Sequence, residues 1–331
     1  MSREEVLVLT AKDVRSLLTI DECIEAVERA FLAYGERRAG PPAVLSLHTS
    51  RGGFHIKAGL LELTKPYFAA KVNGNFPENR TQLDLPTIQG VIVLCDAECG
   101  SPLAIMDSGD ITSLRTAAAT AVAAKHLALR NSRVVTVCGC GTQGRIQLKA
   151  LSRVCDLQSA FAYDESAERA WYFASALSEE LAIPVVVAAN LSVAVRQSDI
   201  CVTCTTSQRP LLNPEDVMSG TFIAAMGADN PHKQEVHPVL MAKSKVVVDV
   251  LEQCAVMGDL HHALEAGAMT LADVHAELGE VVAGAKAGRE SDQEITVFDS
   301  TGMALQDVAA AGVVYEKAVR LGVGVRLGLA P

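Results

Sequence analysis

The sequence predicts an α/β protein in which a doubly wound parallel sheet is joined to a second, α+β domain. A chain of 331 residues fits about two domains by its length. Strand-like and helix-like segments alternate between residues 134 and 300, which is typical of a parallel sheet with helices on both faces. Before residue 110, strand-like runs are joined by loops rich in Gly, Pro, Asn and Asp, which indicates a mainly antiparallel sheet.

The N-terminal part contains one helical pattern followed by strand patterns. Thr10 and Asp13 have the spacing of a helix start, and apolar residues then recur at helical spacing up to Gly35, which predicts one amphipathic helix. From Phe54 onward apolar residues alternate with polar ones such as Lys57, which predicts a strand. Further strands are predicted over 68–73, 90–95 and 102–106.

The second domain is predicted to begin near an alanine-rich helix over 114–129, whose small side chains permit close packing. A last helix over 303–321 has an apolar surface that suits a return to the first domain. We therefore expect one domain of residues 1–118 and 301–331, and a second domain of residues 119–300. The strands of the parallel sheet are predicted near Val134, Ala160, Val185, Ile200, Phe222, Val246 and Ile295.

The strand at Val134 enters a Gly-x-Gly-x-x-Gly turn that opens a helix, Gly139-Cys140-Gly141-Thr142-Gln143-Gly144. The first glycine permits the bend, the second lets the backbone approach a pyrophosphate, and the third lets the helix lie close to the strand. Asp164 ends the next apolar run, where a carboxylate takes both ribose hydroxyls and repels a 2′-phosphate. Turns with this spacing also occur by chance, but the context predicts a Rossmann domain that binds NAD(H) rather than NADP.

Composition argues against several classes of partner. The net charge of −10 offers no basic face for nucleic acid. No apolar stretch reaches membrane-spanning length, and the N-terminal Met1-Ser2-Arg3-Glu4-Glu5 lacks a signal-peptide pattern, so a cytoplasmic protein is expected. The nine cysteines include Cys138-x-Cys140 and Cys201-x-x-Cys204, but both pairs lie in apolar strand runs and predict buried thiols rather than a metal site.

Polar residues just after strand runs are candidates for chemistry, because ligands bind at the carboxyl ends of parallel strands. Asp229 and Ser300 satisfy this criterion, and the carboxylate of Asp229 can exchange a proton. The alternative is that each residue caps the helix that follows it. Lys71 lies in an apolar strand run and Arg115 begins the alanine-rich helix, so either can bind a carboxylate. An outward-facing lysine and a surface salt bridge are the alternatives for these two.

Several blocks of the sequence resemble the ornithine cyclodeaminase/mu-crystallin family, and within it the chain looks closest to archaeal-type alanine dehydrogenases. The resemblance covers nearly the full length. It rests on Lys71-Val72-Asn73, Leu85-Pro86-Thr87, Met106-Asp107, Thr112-Ser113-Leu114-Arg115-Thr116, Gly139-Cys140-Gly141-Thr142-Gln143, Gly227-Ala228-Asp229, Gly279-Glu280-Val281 and Phe298-Asp299-Ser300-Thr301-Gly302.

The resemblance implies an enzyme that is a homodimer, in which the first domain forms the subunit contact and the Rossmann domain carries NAD(H). Lys71 and Arg115 correspond to ligands of the substrate carboxylate, and Lys71 and Asp229 are the implied catalytic residues, Asp229 as the general acid and base. The implied cofactor contacts are Thr87, Thr112, Arg115, Gly139, Gly141, Thr142, Gln143, Gly144, Asp164, Thr205, Gly227 and Ser300.

One departure from the family concerns substrate choice. Many members have an arginine directly after a proline pair, whereas this chain has Pro41-Pro42-Ala43. Lys57 is the candidate that replaces this charge at the substrate. The expected function is hydride transfer at the α-carbon of an amino acid or its imine, including a cyclic ketimine such as pyrroline-2-carboxylate. Two alternatives are an ornithine cyclodeaminase that uses NAD catalytically, and a non-catalytic, crystallin-like binding protein.

Overall fold

The computed structural model describes residues 5–329 and divides them into two compact units. Unit 1 comprises residues 5–115 and 303–329, and unit 2 comprises residues 116–302. Relative to the domain limits predicted from the sequence, each division is displaced by two or three residues. The start of the chain, on which the expectation of no signal peptide rests, lies outside the described residues up to Glu4.

The helices and strands occur along the chain in the following order. They are β1 (Glu5–Leu9), α1 (Ala11–Leu17), α2 (Ile20–Gly35), β2 (Ala43–Thr49), β3 (Gly52–Glu62), β4 (Pro66–Asn75), α3 (Asn79–Gln82), β5 (Ile88–Asp96), β6 (Pro102–Asp107), α4 (Gly109–Leu127), β7 (Val134–Cys138), α5 (Thr142–Val154), β8 (Ser159–Tyr163), α6 (Ala167–Leu181), β9 (Val185–Val187), α7 (Leu191–Arg196), β10 (Ile200–Thr203), β11 (Gln208–Leu212), β12 (Phe222–Ala225), β13 (Gln234–Val236), α8 (Pro238–Ala242), β14 (Lys245–Val248), α9 (Leu251–Cys254), α10 (Asp259–Glu265), a 3-10 helix (Leu271–Asp273), β15 (Ala276–Glu277), α11 (Leu278–Val282), β16 (Thr296–Asp299), α12 (Ala304–Leu321) and β17 (Val325–Gly328).

Unit 1 is built on a seven-stranded sheet of order β17-β1-β6-β5-β4-β3-β2. Neighbouring strands are antiparallel except β1 and β6, which are parallel. Helix α12 packs against β3, β4 and α2. The mainly antiparallel sheet is therefore as the sequence predicted, although β1, β2 and β17 were not predicted.

The expectation of a single N-terminal helix is wrong, because the segment forms two helices, α1 and α2. Thr10 caps α1 through Asp13, and Thr19 caps α2 through Glu22, each pair forming a reciprocal capping box. The apolar periodicity continues across the boundary between the two helices and therefore does not reveal it. The second capping box starts a new helix there, because a capping side chain satisfies amide groups that have no partner inside a helix.

Strand β3 has the alternation that the sequence predicted, but its apolar face is the more exposed one. Phe54 and Leu60 are exposed, whereas Lys57, on the other face, pairs in register with the buried Lys71 of β4. Because side chains alternate across a sheet, these two lysines share one face. That face is the one that α12 covers, since Lys71 contacts Asp307 of α12.

Unit 2 contains an eight-stranded sheet of order β15-β14-β16-β12-β10-β7-β8-β9, in which every pair is parallel. Strands β10, β12, β14 and β16 are almost fully buried and carry the core. The predicted fold class, a Rossmann-like doubly wound sheet with an α+β part, is confirmed. Strand β15 and a separate two-stranded sheet of β11 and β13 were not predicted.

The structure also bears on membrane insertion. Within residues 5–329, the helices are too short or too polar to cross a bilayer.

Candidate functional site

The glycine turn between β7 and α5 has the geometry that a pyrophosphate site requires. Gly139 has a φ of +100°, and a Cβ there would lie 2.7 Å from the carbonyl oxygen of Cys204. A Cβ on Gly144 would collide with the carbonyl oxygen of Gly139, so the helix can start this close to the strand only without one. A Cβ on Gly141 would meet no atom within 4 Å, so the backbone at this position faces open space.

The N-terminus of α5 can receive an anion. Its N-cap residue is Gly141, which has no side chain to accept hydrogen bonds from the amides of the first turn. Thr142 is exposed and Gln143 is partly exposed at this end of the helix. A helix of 13 residues places partial positive charge at this end, where phosphate oxygens can accept hydrogen bonds from the amides.

Asp164 lies at the end of β8, beside the glycine turn. Its Oδ2 accepts a hydrogen bond from the amide of Cys140 at 2.9 Å, and its Oδ1 accepts one from the amide of Ser166 at 2.9 Å. The Nε of Arg169 lies 3.2 Å from Oδ1. These contacts fix the carboxylate at the edge of the turn, which is where the sequence predicted a ribose ligand.

In unit 1, Lys71 and Arg115 share one buried carboxylate, that of Asp307. The Nζ of Lys71 lies 2.9 Å from Oδ1 of Asp307, and the Nε of Arg115 lies 3.2 Å from the same oxygen. The Nη1 of Arg115 donates a hydrogen bond to Oε1 of Gln306 at 2.8 Å. Strand β4, helix α4 and the first turn of α12 supply these buried side chains. We call Lys57, Lys71, Arg115 and Asp307 the cation cluster.

The charged groups of this cluster, together with burial, shift the pKa values of Lys71 and Asp307. Burial, followed by the charge of Arg115, lowers the pKa of Lys71 from an ordinary 10.5 to about 7, against the opposing effect of Asp307. Burial would raise the pKa of Asp307, but Lys71 and Arg115 hold that pKa below its usual value. Asp307 is therefore ionised at neutral pH, whereas Lys71 is close to the midpoint of its titration.

Asp229 follows β12 and is exposed. Its side chain is 52% exposed, and its Oδ1 lies 2.8 Å from the Nζ of Lys233 in an i,i+4 pair. Asn230 donates a second hydrogen bond to the same oxygen at 3.3 Å. The carboxylate is thus accessible to a ligand and has a cation beside it, which is compatible with proton exchange.

The turn before Asp229 is tied to the end of β10 by the buried carboxylate of Glu235. The amide and hydroxyl of Thr205 donate hydrogen bonds to Oε1 of Glu235 at 2.6 and 2.7 Å, and the amide of Gly227 donates to Oε2 at 2.8 Å. A Cβ on Gly227 would lie 2.6 Å from the backbone of Thr205. The structure therefore brings these two predicted cofactor residues together.

Further buried acids follow Glu235 in unit 2. Asp259 Oδ1 accepts hydrogen bonds from the amides of Glu235 and Val236, both at 2.8 Å. Asp299 in turn accepts hydrogen bonds from the amides of Asp259 and Leu260, at 3.3 and 2.8 Å. Asp259 thus fixes the backbone at Glu235, and Asp299 fixes the backbone at Asp259.

Ser300 is held by a fourth buried acid, Asp249. The hydroxyl of Ser300 donates a hydrogen bond to Asp249 Oδ2 at 2.8 Å, and the amide of Gly302 donates to the same oxygen at 2.6 Å. The predicted cofactor residue Ser300 is therefore buried, and its hydroxyl is already engaged within the protein. We call Glu235, Asp249, Asp259 and Asp299 the acid cluster.

Protons, rather than cations, neutralise part of the acid cluster. Burial, followed by the charge of Glu235, raises the pKa of Asp259 from 3.8 to about 7. Burial and the charge of Asp259 raise the pKa of Asp299 well above its usual value, and burial raises that of Glu235. At neutral pH this group therefore holds protons that exposed carboxylates would release.

Two further predicted cofactor residues, Thr87 and Thr112, lie in unit 1 and are placed by their backbones. The carbonyl oxygen of Thr87 accepts a hydrogen bond from the amide of Phe76 at 2.8 Å, just before β5. The amide of Thr112 donates to the carbonyl oxygen of Ser108 at 2.8 Å in the first turn of α4. Thr112 precedes Arg115 by one helical turn, so both lie on the same side of α4.

Sequence reasoning missed Gln306, Asp307 and most of the acid cluster. A signal for Asp307 was present, because Gln306-Asp307 interrupts the apolar run from Met303 to Val308. A buried carboxylate in such a helix needs a cation. The acid cluster had no comparable signal, since its members are far apart in sequence and each resembles a turn residue or a helix cap.

The cysteines of the described residues are all free thiols. A hydrogen bond with Cys201, together with burial, raises the pKa of Cys138, and burial raises the pKa of Cys140 and Cys204. Among residues 5–329, no group of three or more His, Cys, Asp or Glu side chains is arranged to hold a metal ion.

The sequence and the fold match known proteins over nearly their full lengths. Alanine dehydrogenase from Archaeoglobus fulgidus is 42% identical over 325 residues, which cover 98% of each chain. The structure of an archaeal alanine dehydrogenase dimer with bound NAD superposes with a TM-score of 0.94 at 43% identity, covering 98% of this chain and 100% of that one. The structure of Thermococcus litoralis Δ1-pyrroline-2-carboxylate reductase with NADH and L-proline gives a TM-score of 0.91 at 34% identity, covering 97% and 99%.

A sequence profile gives the same assignment independently of any single relative. The profile of the ornithine cyclodeaminase/mu-crystallin family matches residues 4–321, which include the glycine turn, Lys71, Arg115, Asp229 and the start of α12. The resemblance inferred from the sequence blocks is thereby confirmed. This chain belongs to the ornithine cyclodeaminase/mu-crystallin family.

Proposed function

We propose that this chain is an NAD(H)-dependent oxidoreductase that transfers hydride at the α-carbon of an amino acid or of its imine, cyclic imines included. The observation that carries the proposal is the buried cation cluster. Lys57, Lys71 and Arg115 bring three basic groups to one acid, Asp307, and leave positive charge for which a substrate carboxylate is the fitting partner.

The residues of the glycine turn fit a dinucleotide. Open space at Gly141, the uncapped N-terminus of α5 and the fixed carboxylate of Asp164 suit a pyrophosphate and an adenosine ribose. We assign the remaining cofactor contacts to Thr142, Gln143 and the segments at Thr205, Gly227 and Ser300, with Thr87, Thr112 and Arg115 from unit 1. Bound NADH supplies the hydride that a C=N carbon accepts.

Lys71 and Arg115 hold the substrate carboxylate, so that one face of the α-carbon is presented for reaction. Holding the reacting carbon in place contributes by lowering the entropy lost on reaching the transition state. Asp229 donates a proton to the imine nitrogen in reduction, so that the imine takes up one proton and one hydride to become the amine. In oxidation Asp229 accepts a proton, including one from the water that hydrolyses the imine.

The relatives support this reaction class. Two of the matched solved structures are an alanine dehydrogenase with NAD and a pyrroline-2-carboxylate reductase with NADH and L-proline. Both names describe chemistry between an amino acid and its imine. Lys57 lies opposite Lys71 in the sheet. This supports a substrate site in which Lys57 supplies the positive charge that relatives with an arginine after the proline pair take from that arginine.

A substrate screen tests the proposal. NADH oxidation is followed with pyruvate plus ammonia, pyrroline-2-carboxylate and piperideine-2-carboxylate, and NAD⁺ reduction is followed with L-alanine and L-ornithine. Turnover of at least one imine or amino acid is expected. Ammonia release from L-ornithine without net change in NADH would identify cyclodeamination instead, and tight nucleotide binding without any turnover would identify a binding protein.

The role of Asp229 is tested by Asp229→Asn. We expect kcat to fall about a hundredfold or more, because an amide cannot exchange the proton. Lys233→Met is the matched control, since it removes the ion-pair partner but keeps the carboxylate. Equal turnover by wild type and Asp229→Asn contradicts the assignment.

We also propose that unit 1 forms a homodimer through the exposed face of its sheet. Leu45 and Leu47 of β2 and Phe54 and Leu60 of β3 are 40–52% exposed, and the strand register places them on one face. A contiguous exposed apolar face indicates a protein interface. Light scattering on wild type and on Leu47→Asp tests this, with a dimer expected for wild type and dissociation for the variant.

A further inference from the structure

We propose that Asp307 is a positioning residue that lets the binding of a substrate carboxylate load a proton onto Lys71. In this arrangement Asp307 holds the amine of Lys71 beside Arg115, and the arriving carboxylate adds the second negative charge that makes the ammonium form stable. The inference rests on the proposed function and extends it to the protonation state of the lysine that binds the substrate carboxylate.

The geometry of the cluster allows little movement. One oxygen of Asp307, Oδ1, lies 2.9 Å from Lys71 Nζ and 3.2 Å from Arg115 Nε. The side chains of these three residues are 2–7% exposed, so the contacts are largely shielded from bulk solvent. Oδ2 of Asp307 and Nε2 of Gln306 are buried and form no hydrogen bond within residues 5–329. Polar atoms in this state are rare unless a ligand or water meets them.

The groups that face Lys71 come from every element around it. Lys57 lies directly opposite on β3, Arg115 is supplied by α4 and Asp307 by α12, whereas the register partner on β5 is the apolar Ile92. Cys23 of α2 faces Arg115 and Asp307, and burial raises its pKa to about 12, so it remains a neutral thiol. With Lys71 protonated, three positive charges meet one negative charge.

Burial, together with this charge imbalance, explains why the ammonium of Lys71 loses its proton easily. Burial and the neighbouring cations lower its pKa to about 7, so about one molecule in ten carries the proton at pH 8. Arg115 cannot respond in this way, because a guanidinium does not deprotonate in proteins. Lys71 is thus the member of the cluster whose charge can follow the ligand.

A carboxylate that binds beside Lys71 reverses the balance. An opposite charge within about 4–6 Å shifts a pKa by about 1–3. A rise of about two would leave about nine in ten molecules protonated at pH 8, an uptake of about 0.8 proton from solvent. The proton binds to Nζ, no other bond changes, and the ammonium is formed only when a carboxylate is present.

Titration calorimetry measures this uptake directly. Cyclopentanecarboxylate is the probe, because it carries a carboxylate, has no amine that titrates near pH 8 and cannot accept hydride. It is titrated into the full-length chain saturated with NADH, in phosphate and in Tris at pH 8. The dependence of the observed heat on the ionisation heat of the buffer gives the number of protons taken up, and about 0.8 per bound molecule is expected for wild type.

Variants separate positioning from folding. Lys71→Arg keeps the charge but cannot deprotonate, so it should bind the probe with no proton uptake. Asp307→Asn removes the anion that favours the ammonium form. The pH at which proton uptake is largest, and the part of the kcat/KM profile that reports Lys71, should therefore both move to lower pH by about one unit or more. Asp307→Glu should restore both toward the wild-type pH. Asp96→Asn is the control, because it removes a lysine–aspartate pair elsewhere in unit 1, between Lys65 and Asp96.

The outcomes distinguish this inference from the proposed function. Binding or turnover without proton uptake in wild type overturns the inference alone. Uptake that Lys71→Arg retains, or whose pH optimum Asp307→Asn leaves in place while the protein folds, also overturns it. Failure of the chain to bind any carboxylate or to turn over any imine overturns the proposed function, and the inference with it.

Discussion

The two buried charge clusters are built in opposite ways. In unit 1, Lys57, Lys71 and Arg115 surround a single acid, Asp307. In unit 2, the four members of the acid cluster accept hydrogen bonds from backbone amides and hydroxyls, and no lysine or arginine among residues 5–329 forms an ion pair with them. One cluster keeps excess positive charge, whereas the other takes up protons.

The difference reflects what each kind of group can do when buried. A carboxylate can accept several backbone hydrogen bonds or a proton, so a set of acids can tie loops together without any cation. A guanidinium can only donate and stays charged, so Arg115 needs an anion from the protein or from a ligand. The acid cluster therefore stabilises the strand ends, and the cation cluster is suited to a ligand.

The largest expected effect is that of Asp307→Ala on stability. Removing the only acid of the cation cluster leaves Arg115 buried without a counter-ion, so the free energy of unfolding should fall by about 3–5 kcal/mol. Urea unfolding measures this. Asp96→Ala, which breaks the partly exposed pair with Lys65, should cost less than about 1 kcal/mol. Equal losses of unfolding free energy in the two variants would contradict the prediction that Arg115 depends on Asp307 as its counter-ion.

Lys71→Met should separate activity from stability within the same cluster. Losing one charged partner of the carboxylate should lower kcat/KM about a hundredfold. The free energy of unfolding should not fall, because an apolar side chain replaces a buried ammonium that is costly to desolvate. Steady-state kinetics and urea unfolding provide the two measurements, and Lys65→Met is the control. A loss of stability as large as the loss of activity would show that Lys71 is structural.

Asp164→Ala tests an acid of unit 2 that lies outside the acid cluster. The KM for NADH should rise about tenfold, because a charge-assisted hydrogen bond is lost. The KM for NADPH should fall or stay constant, since Arg169 would lose its carboxylate partner and become available to a 2′-phosphate. Kinetics with both cofactors measure this, with exposed Asp156→Ala as the control. An equal rise for both cofactors would argue against a ribose contact.

The smallest expected effect at neutral pH is that of Asp259→Asn, with about 1 kcal/mol or less in unfolding free energy. The pH dependence is more informative. Because the pKa of Asp259 is raised from 3.8 to about 7, the folded protein retains a proton that the unfolded chain releases between those values. Stability from this group is full below about pH 4 and is lost as the pH rises through about 7. Urea unfolding from pH 4 to 8 should show this decline in wild type and a weaker one in the variant.

Much of the fold could be predicted because local patterns specify it. The apolar runs at Val134, Ile200 and Phe222 predicted buried parallel strands, and the alternation from Phe54 predicted β3. The edge strands β2 and β17 were missed, and both are mostly exposed, so neither has the buried apolar run that identifies a core strand. The break between α1 and α2 depends on the cap at Thr19, which the apolar periodicity hides.

The candidate site was predictable in its chemistry but not in its partners. A lysine in an apolar strand and an arginine at the start of a helix identified Lys71 and Arg115. That Asp307, more than 190 residues from Arg115 and more than 230 from Lys71, would lie between them could not be read from spacing. The sequence shows that Asp307 interrupts an apolar helix, but only the packing shows which cations it pairs with.

By itself the sequence determined the fold class, the glycine turn with Asp164, and the basic residues available for a carboxylate, since each of these is encoded in a short segment. Only the tertiary structure decided that Lys57 and Lys71 share a face, that Asp307 joins Lys71 to Arg115, and that four acids tie the strand ends of unit 2. The physical reason is that burial and charge pairing are set by distances between remote segments. Those distances fix both the pKa of Lys71 and the proton content of the acid cluster.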